Sequence, residues 1–209
     1  MTPAHQALER LREGNRRFVS DSTASTARIG EARRNEVASS QAPFAIVLGC
    51  SDSRVPVESI FDAGLGDIFT VRVAGNVATP AQIGSIEFAA ANFGSRLVVV
   101  LGHSGCGAIR ATIDVVKQQS DPGSPGLNAI VDQIRPAVED LLNSGVPTGD
   151  SDELMEKATR LNVRSSANHL RKESAILRDL ISRENLLVVG AEYSLASGEV
   201  EFFDGVPNG

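Results

Sequence analysis

The spacing of hydrophobic positions changes along this chain, and the first part of it has the spacing of a helix. From Pro3 to Phe18 the apolar residues recur every three or four positions, at Ala4, Ala7, Leu8 and Leu11. This spacing predicts a helix with one apolar stripe. Because such a stripe is stable only against another hydrophobic surface, we expect the helix to dock on a second part of the protein.

Four later segments are continuously apolar and have the length of strands: Phe44–Leu48, Asp67–Val73, Arg96–Leu101 and Leu186–Val189. Unbroken apolar runs are typical of parallel strands that helices cover on both faces. Near the end of the chain, Tyr193–Ser197 leads through Gly198 into EVEFF, which predicts a hairpin and an antiparallel edge strand. The expected sheet therefore has about five strands.

Helical patterns lie between these runs, at Pro80–Asn92, Ala108–Gln118, Leu127–Leu142 and a long charged stretch over Asp152–Ser182. Alternation of strands and helices predicts an α/β fold, with a mostly parallel sheet flanked by helices.

Breaks in these patterns do not divide the chain. The polar stretch 20–40 indicates a connection with one short helix, and 120–126 and 143–150 are turn-rich breaks. A length of 209 residues with 42% hydrophobic and 22% charged residues fits one globular domain. We expect a single domain over 1–209, with an N-terminal helical arm at 1–40 and an α/β core at 41–209.

The charge and the hydropathy exclude some partners. A net charge of -6 argues against nucleic acid, because binding phosphates requires clustered Lys and Arg. No run approaches the roughly 18 apolar residues of a membrane helix, and the N-terminus lacks the apolar stretch of a signal peptide. We expect a cytoplasmic protein without membrane contact; an exported form whose signal segment has been removed is the alternative.

The two cysteines and one histidine stand where apolar runs end. Cys50 follows the first run, and His103 and Cys106 follow the third. Ligands of parallel sheets bind beyond the carboxyl ends of the strands, so these three side chains are expected to meet. Two thiolates and an imidazole suit zinc, and three protein ligands leave an open position, as in catalytic sites.

Other interpretations of the cysteines are weaker. Two thiols packed as small hydrophobes would not explain the small and polar residues that surround both. A redox pair would be expected to show Cys-x-x-Cys spacing, which is absent. The remaining histidines, His5 and His169, lie in polar helical surroundings and are expected on the surface.

Asp52 and Arg54 follow Cys50 closely enough to project to the same side. A bidentate pair would keep Asp52 ionised and direct one oxygen towards what the metal binds. The alternative is a surface ion pair of little consequence.

These residues fall within recognisable motifs. CSDSRVP at 50–56 and HSGCGA at 103–108 resemble the paired signatures of beta-class carbonic anhydrases, and 61–76, 83–89 and EGNRRF near the start are also similar to that family. The resemblance implies reversible hydration of carbon dioxide to bicarbonate and a proton. It also implies Zn²⁺ bound by Cys50, His103 and Cys106, with Asp52 and Arg54 as a catalytic dyad; in a closed state Asp52 becomes the fourth metal ligand.

The resemblance also assigns the substrate pocket. Gln41 and the Gly107 amide match donors to the substrate, and Phe69 matches an apolar wall. Phe88 stands where a tyrosine is common, so one hydroxyl is missing. The family unit is a homodimer that exchanges N-terminal helices, or a dimer of dimers, and the second subunit helps to line each pocket.

Regulation and proton transfer are less defined by the motifs. Arg72 and Tyr193 match a regulatory bicarbonate clamp, but Val47 replaces its tryptophan, so that regulation is not expected. No histidine is placed as a proton shuttle, and activity is expected to fall below neutral pH. The competing functions are hydrolysis of carbonyl sulfide or carbon disulfide, and a bicarbonate-responsive protein whose zinc site is closed by Asp52.

Overall fold

Five strands form one sheet: β1 Ala45–Gly49, β2 Ile68–Arg72, β3 Leu97–His103, β4 Leu187–Tyr193 and β5 Val200–Asp204. Their order is β2-β1-β3-β4-β5. The first four strands are parallel, and β5 pairs antiparallel with β4 at the edge. The predicted α/β fold with its antiparallel edge strand is confirmed.

The structure is a computed structural model that describes residues 2–23, 29–118, 120–145 and 149–207. Residues 24–28 of the predicted connection and 146–148 of the second predicted break lie outside the described residues. The helices are α1 Ala4–Val19, α2 Glu31–Val37, α3 Val57–Ile60, α4 Pro80–Asn92, α5 Gly107–Gln118, α6 Pro125–Asn143, α7 Ser151–Glu173 and α8 Ala175–Glu184, with a 3₁₀ turn at Ala74–Asn76.

The charged stretch 152–182 differs from the expectation, because it forms two helices. Ser174 ends α7 in an extended conformation, and its Oγ accepts a hydrogen bond of 3.0 Å from the Leu177 amide at the start of α8. A serine at this position satisfies one of the free amides of the new helix. The break lets α8 turn onto the sheet, where Leu177 and Leu180 are buried.

Both faces of the sheet are covered, so the central strands are buried throughout. All residues of β1 and β3 are buried. One face packs against α1 and α3, and the other packs against α4, α7 and α8. A third cluster, formed mainly by α5, α6 and α7, lies beyond the carboxyl ends of β1 and β3 and includes the two cysteines.

Helix α1 docks on the core of its own chain. Leu8 and Leu11 of its stripe are buried in the cluster that contains β1. The backbone of Gly14 lies so close to α3 that a Cβ atom there would be 1.9 Å from the carbonyl oxygen of Phe61. Asn15 donates to the Gly198 carbonyl at 2.8 Å and accepts from the Val200 amide at 2.9 Å. The stripe is thus buried within one chain, and exchange of this helix between subunits stays a prediction.

Within the described ranges, no helix is both long and apolar enough to cross a membrane.

Candidate metal centre

Adjacent parallel strands bring the three candidate ligands to one edge of the sheet. Gly49 at the end of β1 lies opposite Leu101 of β3. Cys50 is the next residue after β1, and His103 is the last residue of β3. Cys106 directly precedes α5, after a tight turn in which Gly105 has a positive φ of 64°.

The ligand atoms of Cys50, His103 and Cys106 all lie within 4.8 Å of one another, and all three residues are buried. The His103 Nδ1 atom lies 3.0 Å from the Ser104 carbonyl oxygen. A carbonyl oxygen can only accept a hydrogen bond, so Nδ1 carries the proton and Nε2 has a free lone pair. Nε2 is buried and has no hydrogen-bond partner among the described residues.

A buried nitrogen lone pair without a partner is unfavourable in a folded protein unless a ligand occupies the space it faces. Here it faces two sulfur atoms, and two thiolates with one imidazole are a donor set typical of zinc. The residues present therefore fit a zinc ion that Cys50, His103 and Cys106 would hold.

The two thiols influence each other's ionisation. A hydrogen bond from Cys106 is the main reason that the pKa of Cys50 falls to about 4, although burial opposes this shift. The same hydrogen bond, together with burial, raises the pKa of Cys106, while the amides of Ile109 and Ala108 at the start of α5 act in the opposite direction. A metal cation would favour the ionised form of both groups, so that both sulfurs would bind as thiolates.

Asp52 and Arg54 form a bidentate pair beside this cluster. Arg54 Nε donates to Asp52 Oδ1 at 2.9 Å, and Nη2 donates to Oδ2 at 2.7 Å. The Arg54 amide also donates to Oδ1, at 2.9 Å. The guanidinium hydrogen bonds hold the pKa of Asp52 well below its usual range.

Asp52 lies beside the cluster and is paired with Arg54. Its Oδ2 atom lies 3.9 Å from His103 Nε2, beyond hydrogen-bond distance, and both carboxylate oxygens are bound by Arg54. In this arrangement the Asp52 carboxylate is held by Arg54, and its role as a fourth ligand in a closed state stays a prediction.

Arg72 has a role that the sequence did not reveal. At the end of β2, opposite Gly49, its Nε donates to the Cys50 carbonyl at 3.0 Å and its Nη2 donates to the Asp52 carbonyl at 2.7 Å. The guanidinium therefore fixes the backbone that carries one ligand and the dyad carboxylate. Only its place at the end of a strand next to the first apolar run could have indicated this. Val47, the departure from the regulatory clamp, is buried in the core.

Of the residues predicted to line the substrate pocket, Gly107 lies next to a metal ligand, and the other three lie far from the ligands. Gly107 begins α5 directly after Cys106, so its N–H is one of the amides that have no partner within the helix. Apart from its chain neighbours and the backbone of its own helix, no atom of the described residues lies within 4 Å of where a Cβ atom of Gly107 would be.

Phe69, Phe88 and Gln41 lie away from the metal ligands of their own chain. Phe69 is opposite Ile46, four residues before Cys50, a separation of about 13 Å along a strand. Phe88 is 53% exposed, and the centre of its ring lies 6.5 Å from that of Phe69. Gln41 is exposed and precedes β1, at the opposite end of that strand from Cys50.

Comparison with known proteins agrees with this geometry. Residues 45–200, which are well over half of the chain, match the family model described as carbonic anhydrase. This chain belongs to the carbonic anhydrase family. It is 36% identical over 195 residues to a carbonic anhydrase of Mycolicibacterium smegmatis, covering 93% of this enzyme and 91% of that one.

Solved structures identify the class. The enzyme superposes on the beta-carbonic anhydrase of Coccomyxa, solved in complex with acetazolamide, with a TM-score of 0.72 and 25% identity over 91% of this chain and 83% of that one. A tetrameric beta-carbonic anhydrase of Sordaria macrospora gives a TM-score of 0.71 and 25% identity over 81% and 84% of the two chains. The enzyme is therefore a beta-carbonic anhydrase, as its motifs predict.

Proposed function

We propose that this enzyme catalyses the zinc-dependent, reversible hydration of carbon dioxide to bicarbonate and a proton at Cys50, His103 and Cys106. The observation that carries the proposal is this buried, three-donor set beside a carboxylate that an arginine holds ionised. Zinc bound there would lower the pKa of a coordinated water to about 7, the value known for carbonic anhydrase itself.

Asp52 would orient the attacking water. Because Arg54 lowers the pKa of Asp52, this carboxylate is ionised at neutral pH and can accept hydrogen bonds but not donate them. If Asp52 accepts a hydrogen bond from the water, a lone pair of the water oxygen would point at carbon dioxide. Arg72 supports this role, because it holds the Asp52 carbonyl and limits movement of the carboxylate towards the ligands.

The Gly107 amide would stabilise the forming bicarbonate. It lies next to Cys106 at the positive end of the α5 dipole, where a negative charge is favoured. A donor fixed before the reaction stabilises developing charge without reorganisation.

We propose that a second subunit completes the pocket with Gln41, Phe69 and Phe88. All three are remote from the metal ligands of their own chain, and Phe88 is an exposed aromatic residue. Apolar rings suit carbon dioxide, and a glutamine amide can donate to bicarbonate. The active unit would be a homodimer, or a dimer of dimers as in the tetrameric relative.

The proton would leave to buffer. His5 shares a cavity with Arg96 and Leu187, at the amino-terminal ends of β3 and β4, and therefore lies at the edge of the sheet opposite the metal ligands. His169 is exposed two residues before Arg171, which donates to the carbonyl of Val188 near the start of β4. Neither histidine is placed to receive a proton from the site.

Metal analysis of variants tests the ligand set. The wild-type protein should contain one zinc per chain, and Cys50→Ser and His103→Ala should lose most of it together with carbon dioxide hydration. Ser104→Ala is the matched control and should keep the metal: Ser104 lies next to a ligand, and its hydroxyl accepts a hydrogen bond from the Leu195 amide. Full zinc content in Cys50→Ser and His103→Ala would contradict the proposed ligands.

A further inference from the structure

A backbone amide outside the ligand motifs contacts one of the sulfurs. The Gly75 N–H, in the 3₁₀ turn after β2, donates to the Sγ atom of Cys50 at 3.4 Å. Hydrogen bonds to a metal-bound thiolate reduce its negative charge, and such outer contacts influence how tightly the metal binds.

Gly75 can make this contact because it has no side chain. Its φ of 70° lies in the left-handed region, which favours glycine. A Cβ atom there would be 2.8 Å from Ile134 Cδ1 and 3.1 Å from Ala108 Cβ. Because a glycine backbone can adopt many conformations, other contacts are needed to fix the direction of the Gly75 N–H.

Asn162 supplies the missing constraint. Its Nδ2 donates to the Gly75 carbonyl oxygen at 2.8 Å, across 87 positions of sequence. Asn162 lies in α7 with only 1% of its surface exposed, and its Oδ1 has no partner among the described residues. A buried polar side chain is unfavourable unless it is hydrogen-bonded, so the bond to Gly75 offsets the cost of burying this amide.

We propose that Asn162 is a positioning residue of the metal centre: it holds the Gly75 backbone so that its N–H points at the Cys50 sulfur. The side chain touches neither metal nor substrate and acts through one glycine. This inference rests on the proposed zinc site and adds a residue from α7, outside the two ligand motifs.

Replacing Asn162 is expected to weaken metal binding more than it destabilises the fold. Without Asn162 the Gly75 carbonyl loses its donor and the turn can rotate, so the Cys50 thiolate loses its hydrogen bond. Zinc affinity should then fall by about tenfold or more, the range seen when outer contacts of a metal site are removed. A thiolate without that hydrogen bond holds its electrons less tightly, so its charge-transfer band to bound Co²⁺ should move to longer wavelength.

The test compares three variants of the full chain. Asn162→Leu keeps the branching of the side chain and removes the donor. Asn162→Ser keeps a polar group, but its side chain is too short to reach the Gly75 carbonyl. Thr159→Val is the matched control, because its hydroxyl is buried one turn away in α7 and has no partner among the described residues. Zinc affinity is measured by competition with a chromophoric chelator, Co²⁺ spectra report on the thiolates, and melting of the metal-free proteins reports on the fold.

The proposal predicts weaker zinc binding and a shifted Co²⁺ band in both Asn162 variants, and neither change in Thr159→Val. Zinc affinity within about threefold of wild type with an unchanged band would overturn it, even if the melting temperature fell, because Asn162 would then be purely structural. If Asn162→Leu does not fold, the same two readings on Asn162→Ser decide. Failure of the wild-type protein to bind zinc or Co²⁺ would instead overturn the proposed function, and this inference with it.

Discussion

The Asp52 carboxylate and the Arg54 guanidinium are joined by two parallel hydrogen bonds, of 2.9 Å and 2.7 Å, at the edge of the ligand cluster. Because Arg54 donates to both oxygens of Asp52, we expect the pair to disfavour binding of this carboxylate to the metal. Arg54 is thus expected to determine whether the site is open, in addition to keeping Asp52 ionised.

Replacing Arg54 should therefore close the site without removing the metal. In Arg54→Ala we expect kcat/KM to fall roughly 10- to 100-fold at unchanged zinc content, because Asp52 is free to bind the metal. Arg54→Lys should lie between this variant and wild type, since a lysine keeps the charge but cannot make the bidentate pair. Stopped-flow rates with metal analysis measure both; wild-type kcat/KM in Arg54→Ala would contradict the role.

The pH dependence should come from the water at the metal and not from Asp52. Arg54 lowers the folded-state pKa of Asp52, so the stabilisation from the pair is complete above the unfolded value of about 3.9 and is lost only as pH falls through the lower folded value. Between about pH 6 and 9 Asp52 stays ionised, and kcat/KM should rise with one ionisation near 7.

Asp52→Asn separates the two ionisations. Its kcat/KM should be lower at every pH, but the midpoint of its pH profile should match that of wild type. A midpoint that disappears in Asp52→Asn would show that Asp52 itself titrates in this range. A wild-type kcat/KM that does not change between about pH 6 and 9 would contradict the expected loss of activity below neutral pH.

A charge on the exposed aromatic cluster should disrupt the proposed dimer. Phe88 packs against Phe69 and Phe93 next to the edge strand β2, with ring distances of 6.5 Å and 5.5 Å. Phe88→Asp should give monomers with bound zinc and little activity, because an unpaired carboxylate is unfavourable in an apolar interface. Leu127→Asp is the control, since Leu127 is also 53% exposed but lies on α6. Light scattering decides: a dimeric Phe88→Asp enzyme with full activity would contradict the shared pocket.

The docking of α1 can be tested through one glycine. In Gly14→Ala the new methyl would overlap the Phe61 carbonyl, so the helix must move, and we expect a loss of about 1–3 kcal/mol in the free energy of unfolding. Gly126→Ala, where no atom lies within 4 Å of the added carbon at the start of α6, should gain up to about 1 kcal/mol. Urea unfolding of both variants measures this, and equal stability of the two would contradict the close packing.

The strands and the meeting of the three candidate ligands could be predicted because local sequence determines them. Each apolar run became a strand of the sheet; β1 and β3, which are covered on both faces, are buried throughout, whereas β2 at the edge is partly buried. Cys50 follows β1, and His103 is the last residue of β3. Because these two strands are adjacent and parallel, the topology alone brings the two residues together.

Features that depend on distant contacts could not be predicted. The break at Ser174 lies within a charged helical pattern, and a serine there is a cap only because α8 turns onto the sheet. Asn162 looks like an ordinary helix residue until α7 brings it against Gly75. The motif resemblance assigned Phe69 and Phe88 to the pocket without indicating that they lie far from the ligands of their own chain.

The most direct test of the account is stopped-flow carbon dioxide hydration by one preparation as isolated, after chelation and after zinc is restored, at about pH 7 and about pH 8.5, either side of the expected ionisation. We predict fast turnover at both pH values, its loss on chelation and its return with zinc. No turnover at either pH from zinc-loaded dimer would contradict the proposed activity.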